Sequence, residues 1–288
     1  MTLKTEILLD GLGFPEGPRW HDGKLWFSDM GTCQVMTVDL RGTAQTVVEV
    51  PEQPSGLGWL PDDRLLVVSM KDRRLLRLDP DGLVEIADLR ELASFHCNDM
   101  VVDQQGRAYV GNFGFDVDDP AAVLKHAAIM LVMPDGAARI VADEMVFPNG
   151  SVITPDKGTL IVAESFASRL TAFSIERDGF LTGRRVWAQF DDLGFDMSEG
   201  RITPDGICLD AEGAIWIASP SGRGEVLRVK EGGKVTHRFQ VETQPFAVML
   251  GGPDGRTLFV CTTILSERNS VKGRIEIVHV AVPGAGLP

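Results

Sequence analysis

A short unit recurs six times along this chain, and that recurrence limits the fold more than any single residue does. Each copy opens on a tripeptide followed by an apolar run: Pro15-Glu16-Gly17, Pro54-Ser55-Gly56, Cys97-Asn98-Asp99, Pro148-Asn149-Gly150, Pro204-Asp205-Gly206 and Pro245-Phe246-Ala247. A turn with Asp or Gly follows, as at Asp22-Gly23, Asp62-Asp63 and Asp254-Gly255. Such pairs between apolar runs are a hairpin signal. The next runs, at 25–28, 65–68, 108–111, 160–163, 215–218 and 258–261, align without gaps. Third runs (75–78, 128–133, 171–175) and fourth runs (46–50, 84–87, 139–142, 185–189, 235–239) fill out the copies. No helical period competes over a comparable length. Four short strands per unit, in six units of about 40–55 residues, predict an all-β fold, a six-bladed β-propeller.

The ends of the pattern fit a closed ring. The sixth unit stops after a third run at 274–282, while 5–9 is strand-like and belongs to no complete unit. The N-terminal segment is therefore predicted to complete the last blade, because an open ring would leave strand edges unpaired. Residues 1–288 are read as a single propeller domain. Two excursions, 113–125 and 191–203, are long for a compact fold; each either covers a pocket or runs over the surface.

In a propeller the first strand of each unit lies nearest the axis. The middle residues of the tripeptides, Glu16, Ser55, Asn98, Asn149, Asp205 and Phe246, then face one another at one end of a central channel. Glu16, Asn98, Asn149 and Asp205 carry oxygen donors, with no imidazole or thiolate among them, and are predicted to bind one divalent metal ion. Hard oxygen donors suit Ca²⁺ first, then Mg²⁺ or Mn²⁺. Taken singly, Asn149-Gly150 and Asp205-Gly206 are ordinary turn dipeptides; the shared repeat position sets them apart, since the hairpin turn comes several residues later. A second polar column, Asp29, Ser69, Asn112, Glu164, Ser219 and Thr262, follows the second strands. Glu164 and Asn112 are expected either to hydrogen-bond the metal ligands or to sit in solvated loops. His96, two residues before Asn98, is a candidate to contact substrate or move a proton, and Phe113 to wall a pocket. Phe115 and Phe166 read as pocket wall or core, and His21 as an exposed turn residue. Ser55 has no evident His partner, which speaks against a serine-hydrolase triad.

Net charge of −13 over 288 residues argues against nucleic acid or an anionic membrane as partner. No apolar run reaches the ~18–20 residues of a membrane span, and the first residues lack the pattern of a secretory signal; a cytoplasmic location is expected. The four cysteines are scattered without metal-ligand spacing and are expected to be reduced, Cys208 and Cys261 as small buried hydrophobes. Oligomeric state is not legible.

These motifs resemble those of the regucalcin (senescence marker protein)/gluconolactonase family of six-bladed propellers, over residues from Glu16 to about Thr262. Phe14-Pro15-Glu16-Gly17-Pro18-Arg19-Trp20 is similar to the family's opening motif with its metal-binding glutamate. Asn98-Asp99 resembles the third-blade motif whose asparagine lies at the metal and substrate site. Pro148-Asn149-Gly150 and the stretch from Pro204 through Gly213 resemble the motifs carrying the ligand asparagine and the ligand aspartate. The resemblance implies a hydrolase that opens small lactones, chiefly sugar lactones, with one divalent metal (Zn²⁺ and Fe²⁺ staying open beside Ca²⁺). It assigns Asp205 as general base; whether Asp205 takes the proton or only orients the attacking water stays open. Organophosphate triester hydrolysis at the same site, and a non-catalytic calcium- or ligand-binding propeller, are the alternatives. One departure matters. Sugar-lactonase members commonly carry arginine where this chain has His96, which leaves a more apolar or aromatic lactone in play.

Overall fold

The computed structural model describes residues 3–119, 121–191, 200–222, 224–264 and 272–286. Six four-stranded antiparallel sheets make up the fold, each built by consecutive strands except the last. The innermost strands are β2 (Pro15–His21), β6 (Pro54–Trp59), β10 (Cys97–Val102), β14 (Pro148–Ile153), β18 (Ile207–Leu209) and β22 (Gln244–Gly251). Each touches the next around a ring, β22 meeting β2. The predicted six-bladed propeller is the observed one.

The second strand of each blade is buried at nearly every position, because both its faces pack on neighbouring blades. In β7 (Leu65–Ser69) all five residues are buried. A run apolar on both faces, without alternation, is what such a position requires. Core clusters accordingly bridge blades: Leu66 and Val68 pack with Met100, Val110 and Met130, and Tyr109 and Leu131 with Val162 and Phe173. Burying each such side chain contributes about 1.5–3 kcal/mol. The fourth strands are the exposed outer edges instead: in β17 (Leu181–Gln189) Thr182 through Val186 are all exposed. At the first hairpin Asp22 and Gly23 both have positive φ, 47° and 73°. Such a turn matches the twist of the strands it joins.

Closure follows the expected route. β1 (Glu6–Leu12) pairs antiparallel with β24 (Gly273–His279), completing the sheet whose inner strands are β23 (Thr257–Thr263) and β22. β24 ends three residues short of the expected 282. Residues 283–285 pack back on the ring: Ala211 N donates to Pro283 O (2.8 Å) and Ala285 N to Leu209 O (3.0 Å). The C-terminal segment thus lies along the short β18, at the end of the channel away from the column.

Candidate functional site

The entry to five of the six inner strands is irregular in a repeated way. Pairing between the first two strands of a blade shifts between Glu16 and Arg19, Pro54 and Leu57, Cys97 and Met100, Pro148 and Ser151, and Pro245 and Ala247. These are β-bulges, which re-aim a side chain where a regular strand would pair it. The column residues of these five blades sit at or beside them, so their side chains turn toward the axis, while Asp205 lies just ahead of the short β18. The residue after each column position packs against the next blade. A Cβ on Gly56 would lie 2.3 Å from Met100 N, and one on Gly150 2.6 Å from Ile207 N. Gly150 N donates to Asp205 O (3.2 Å) and Gly206 N to Phe246 O (2.8 Å). The glycines are there because backbone must touch backbone.

Glu16, Asn98, Asn149 and Asp205 come together at the floor of one cavity of about 520 Å³, with His96 and Phe113 in its wall. Asn98 donates from Nδ2 to Pro148 O (3.1 Å), which leaves its Oδ1 as the free acceptor. Asn149 Nδ2 reaches Ser165 Oγ at 3.4 Å, and Ser165 Oγ in turn donates to Pro204 O at 2.8 Å. Ser165 therefore ties Asn149 to the strand entry that carries Asp205; nothing in the sequence singled it out. Glu16 Oε2 accepts from Gly17 N at 2.8 Å. Burial pushes the Glu16 carboxyl up to about 8, with nearby Asp99 adding to the rise against the Gly17 hydrogen bond. Asp205 is raised well above the ordinary carboxylate range by burial first, then by Glu16 and Asp99.

Two crowded carboxylates and two amides form a donor set that a divalent cation fits. Its charge would relieve the repulsion and reverse both shifts. Among the described residues no group of three His, Cys, Asp or Glu side chains is placed to hold an ion. Any ion here depends on the two amide oxygens as well as on Glu16 and Asp205.

Asp99 occupies the one position after the column where a charge replaces a small residue, and sequence reasoning passed over it. Its Oδ1 meets Arg19 Nη2 at 2.9 Å, with side-chain exposures of 6% for Arg19 and 9% for Asp99. Arg19 also donates to Pro18 O and Met100 O. This pair links blades 1 and 3 across the channel, beneath the column. The available signal was an arginine within the apolar inner strand.

The second polar column does other work than ligand support. Asp29, Ser69, Asn112, Glu164 and Thr262 stand opposite Pro15, Pro54, Cys97, Pro148 and Pro245. Asp29 accepts from Gly13 N and Phe14 N at 2.9 and 2.7 Å. Asn112 donates to Ala128 O (2.9 Å) and accepts from Gly114 N (3.0 Å). Glu164 accepts from Val146 N at 2.7 Å, Arg169 Nε at 2.8 Å and Thr171 Oγ1. These side chains anchor the loops that frame the cavity. Glu164 and Asn112 make no hydrogen bond to the candidate ligands among the described residues. The reason is geometric: beside a bulge, the neighbouring strand points away from the axis.

His96 stacks on Phe95 at 4.0 Å and meets Phe113 edge-on at 6.1 Å. Burial and the Lys71 charge lower its pKa. Phe113 lines the cavity, whereas Phe115 and Phe166 are buried in the cluster behind it. The 113–125 excursion is thus packed against the site at Phe113 and Val117. In the other excursion Asp191 Oδ2 accepts from Ile202 N at 3.1 Å; Asp192 and Met197-Ser198-Glu199 lie outside the described residues. His21 is no free turn residue: it stacks on Trp59 at 4.0 Å.

A model of the SMP-30/gluconolactonase/LRE-like region matches residues 14–264. A gluconolactonase of Zymomonas mobilis is 23% identical over 289 residues, covering 88% of this chain and 78% of that one. A pentonolactonase of Haloferax volcanii is 25% identical over 256 residues, covering 86% and 80%. The solved structure of a calcium-binding protein, regucalcin, from Agrobacterium tumefaciens superposes with a TM-score of 0.80 at 21% identity, covering 100% of this chain and 97% of that one. At that identity the structural likeness is one of fold.

Proposed function

The chain belongs to the SMP-30/gluconolactonase/LRE-like family, and from that premise we propose that it is a divalent-metal-dependent lactonase. The observation that carries the reading is the cavity floor, where Glu16 and Asp205 are crowded together beside Asn98 and Asn149 with the cavity open above them. Relatives named for gluconolactone and pentonolactone hydrolysis support a lactone as substrate class. The all-oxygen donor set favours Ca²⁺, with Mg²⁺, Mn²⁺, Zn²⁺ and Fe²⁺ as competitors; the relative described as calcium-binding supports the same choice. When bound, such an ion supplies Lewis-acid polarisation of a carbonyl oxygen.

The chain's own groups do the rest. Asp205 holds the attacking water and accepts its proton; Asn149, which hydrogen-bonds the Asp205 carboxylate, fixes its orientation. Asn98, its Nδ2 held by Pro148 O, is left with Oδ1 as a donor that would help hold the ion. His96 contacts the substrate from the wall. The proton on Asp205 then passes to the departing ring oxygen as the acyl C–O bond breaks, and the hydroxy acid so formed loses its carboxylic proton to solvent.

Proton release on a panel of lactones, as purified, after chelation and after metal add-back, tests this reading. Activity lost to chelator and restored by one ion supports it, and Asp205→Asn is expected to lose most turnover, on the order of 10²-fold or more. Near-normal rates in that variant would overturn the assignment. Triester hydrolysis far above any lactone rate would move the substrate to organophosphates. Tight ion binding with no turnover of either class would leave a calcium-binding propeller.

A further inference from the structure

We propose that the cavity selects lactones bearing an aromatic or alkyl group over polyhydroxylated ones, with Phe113 and Phe147 as the selecting wall. This inference rests on the lactonase reading for its chemistry but stands on the wall's own geometry.

Two aromatic pairs flank the floor. Phe113 and Phe147, from blades 3 and 4, stack with centroids 4.7 Å apart and planes at 29°. Phe14 and Phe246, from blades 1 and 6, sit at 4.7 Å and 54°. In a ring of six, blade 1 faces blade 4 and blade 3 faces blade 6, so the pairs stand on opposite sides of the axis. All four rings line the cavity, and Met30 and Met70 fill the side between them. Thioethers and arenes give the wall an adaptable apolar face above the polar floor. The cavity's volume of about 520 Å³ accommodates a small bicyclic molecule.

The polar inventory points the same way. Among the described lining residues there is no Arg, Ser, Thr or Tyr. Lys71 and Asp118 are exposed at the mouth. Gln53 already donates from Nε2 to Met30 O at 3.0 Å. Besides the four floor residues and the two charged groups at the mouth, the wall offers Gln53, the His96 ring and the weakly polar Cys33 thiol to a sugar's hydroxyls. A desolvated hydroxyl without a partner loses more than it gains. An arene or alkyl group meets the Phe113–Phe147 face without that loss.

The test compares dihydrocoumarin with D-glucono-δ-lactone as substrates, with spontaneous hydrolysis subtracted. In parallel, calorimetry with metal present follows binding of the two matching lactams, which are not turned over. Dihydrocoumarin is expected to give the higher kcat/KM by at least about tenfold, and dihydroquinolinone to bind more tightly than gluconolactam. Phe113→Gln, with folding checked by circular dichroism, is expected to narrow both differences. Gluconolactone favoured over dihydrocoumarin overturns the inference while the lactonase reading survives. Neither lactone hydrolysed, but the aromatic lactam still bound more tightly, overturns the lactonase reading and upholds the selecting wall. A sugar lactam bound as tightly as the aromatic one overturns the selecting wall, whatever the activity.

Discussion

Replacing Arg19 with methionine tests whether the channel is held by a buried ion pair. The change keeps an unbranched side chain of similar reach but leaves Asp99 with Met100 N, at 2.8 Å, as its remaining donor. Both partners of the pair are less than a tenth exposed. Breaking such a pair from one side costs about 3–5 kcal/mol, because a buried charge loses its counter-charge. For a domain of this size that corresponds to a fall in Tm of roughly 6–10 °C. The pH dependence gives the mechanism away. Burial holds the Asp99 carboxyl above its ordinary range despite Arg19, and removing Arg19 raises it further. A group raised in the folded state binds its proton more tightly there, so its stability deficit is absent below the unfolded pKa and grows as pH climbs toward the folded one. The variant should approach wild type near about pH 4 and diverge toward neutrality. Thermal melts in chelator, which removes metal linkage, measure this. Asp99→Leu added to Arg19→Met should recover much of the loss. A single variant that melts with wild type at neutral pH, or whose deficit is larger in acid, refutes the reasoning.

Three further outcomes follow from the same geometry. Because Glu16 is held up to about 8 and Asp205 is also raised, ion binding must expel protons; apparent affinity should fall as pH drops below about 8, by about tenfold per unit for each proton expelled. Titration in weak buffer reads the protons directly, and an ion bound without proton release contradicts the placement of these two residues. Glu164→Gln should destabilise the fold by about 1–3 kcal/mol through its lost charge-assisted hydrogen bonds while changing kcat little; a selective loss of kcat would return Glu164 to the site. Of four cysteines, Cys97, Cys208 and Cys261 are buried and Cys33 half-exposed in the cavity wall. Burial also raises the Cys97 and Cys208 thiols. A thiol reagent should therefore modify one cysteine in the native chain and all of them in denaturant, with Cys33→Ala removing the native reaction.

The fold was legible because each blade repeats its own turn chemistry and its own buried run, so errors at single positions did not accumulate. The column was legible for the same reason: Glu16, Asn98, Asn149 and Asp205 share a register that no isolated turn explains. What the register could not disclose is direction. Glu164 lies one pairing step from Pro148, yet the bulge at Asn149 turns one strand's side chain inward and leaves its neighbour facing a loop. Arg19 and Asp99 were hidden by distance, being 80 residues apart and meeting only once the ring is formed. Ser165 sits in a short 3₁₀ turn after the second strand of its blade, where no repeat marks it.

The seam between β1 and β24 has a consequence for how the chain is made. Thr5 Oγ1 donates to Glu276 Oε2 at 2.5 Å, and these partners are 271 residues apart. Bringing ends together over such a length costs about 5 kcal/mol of chain entropy. During synthesis the first five blades can assemble in order as they emerge, but the sixth must wait for the chain's beginning to be found by its end. Until then β24 offers a bare edge, and a second nascent chain can supply the missing strand as well as the first can. The ring is most exposed to exchanging partners at the moment it is nearly complete.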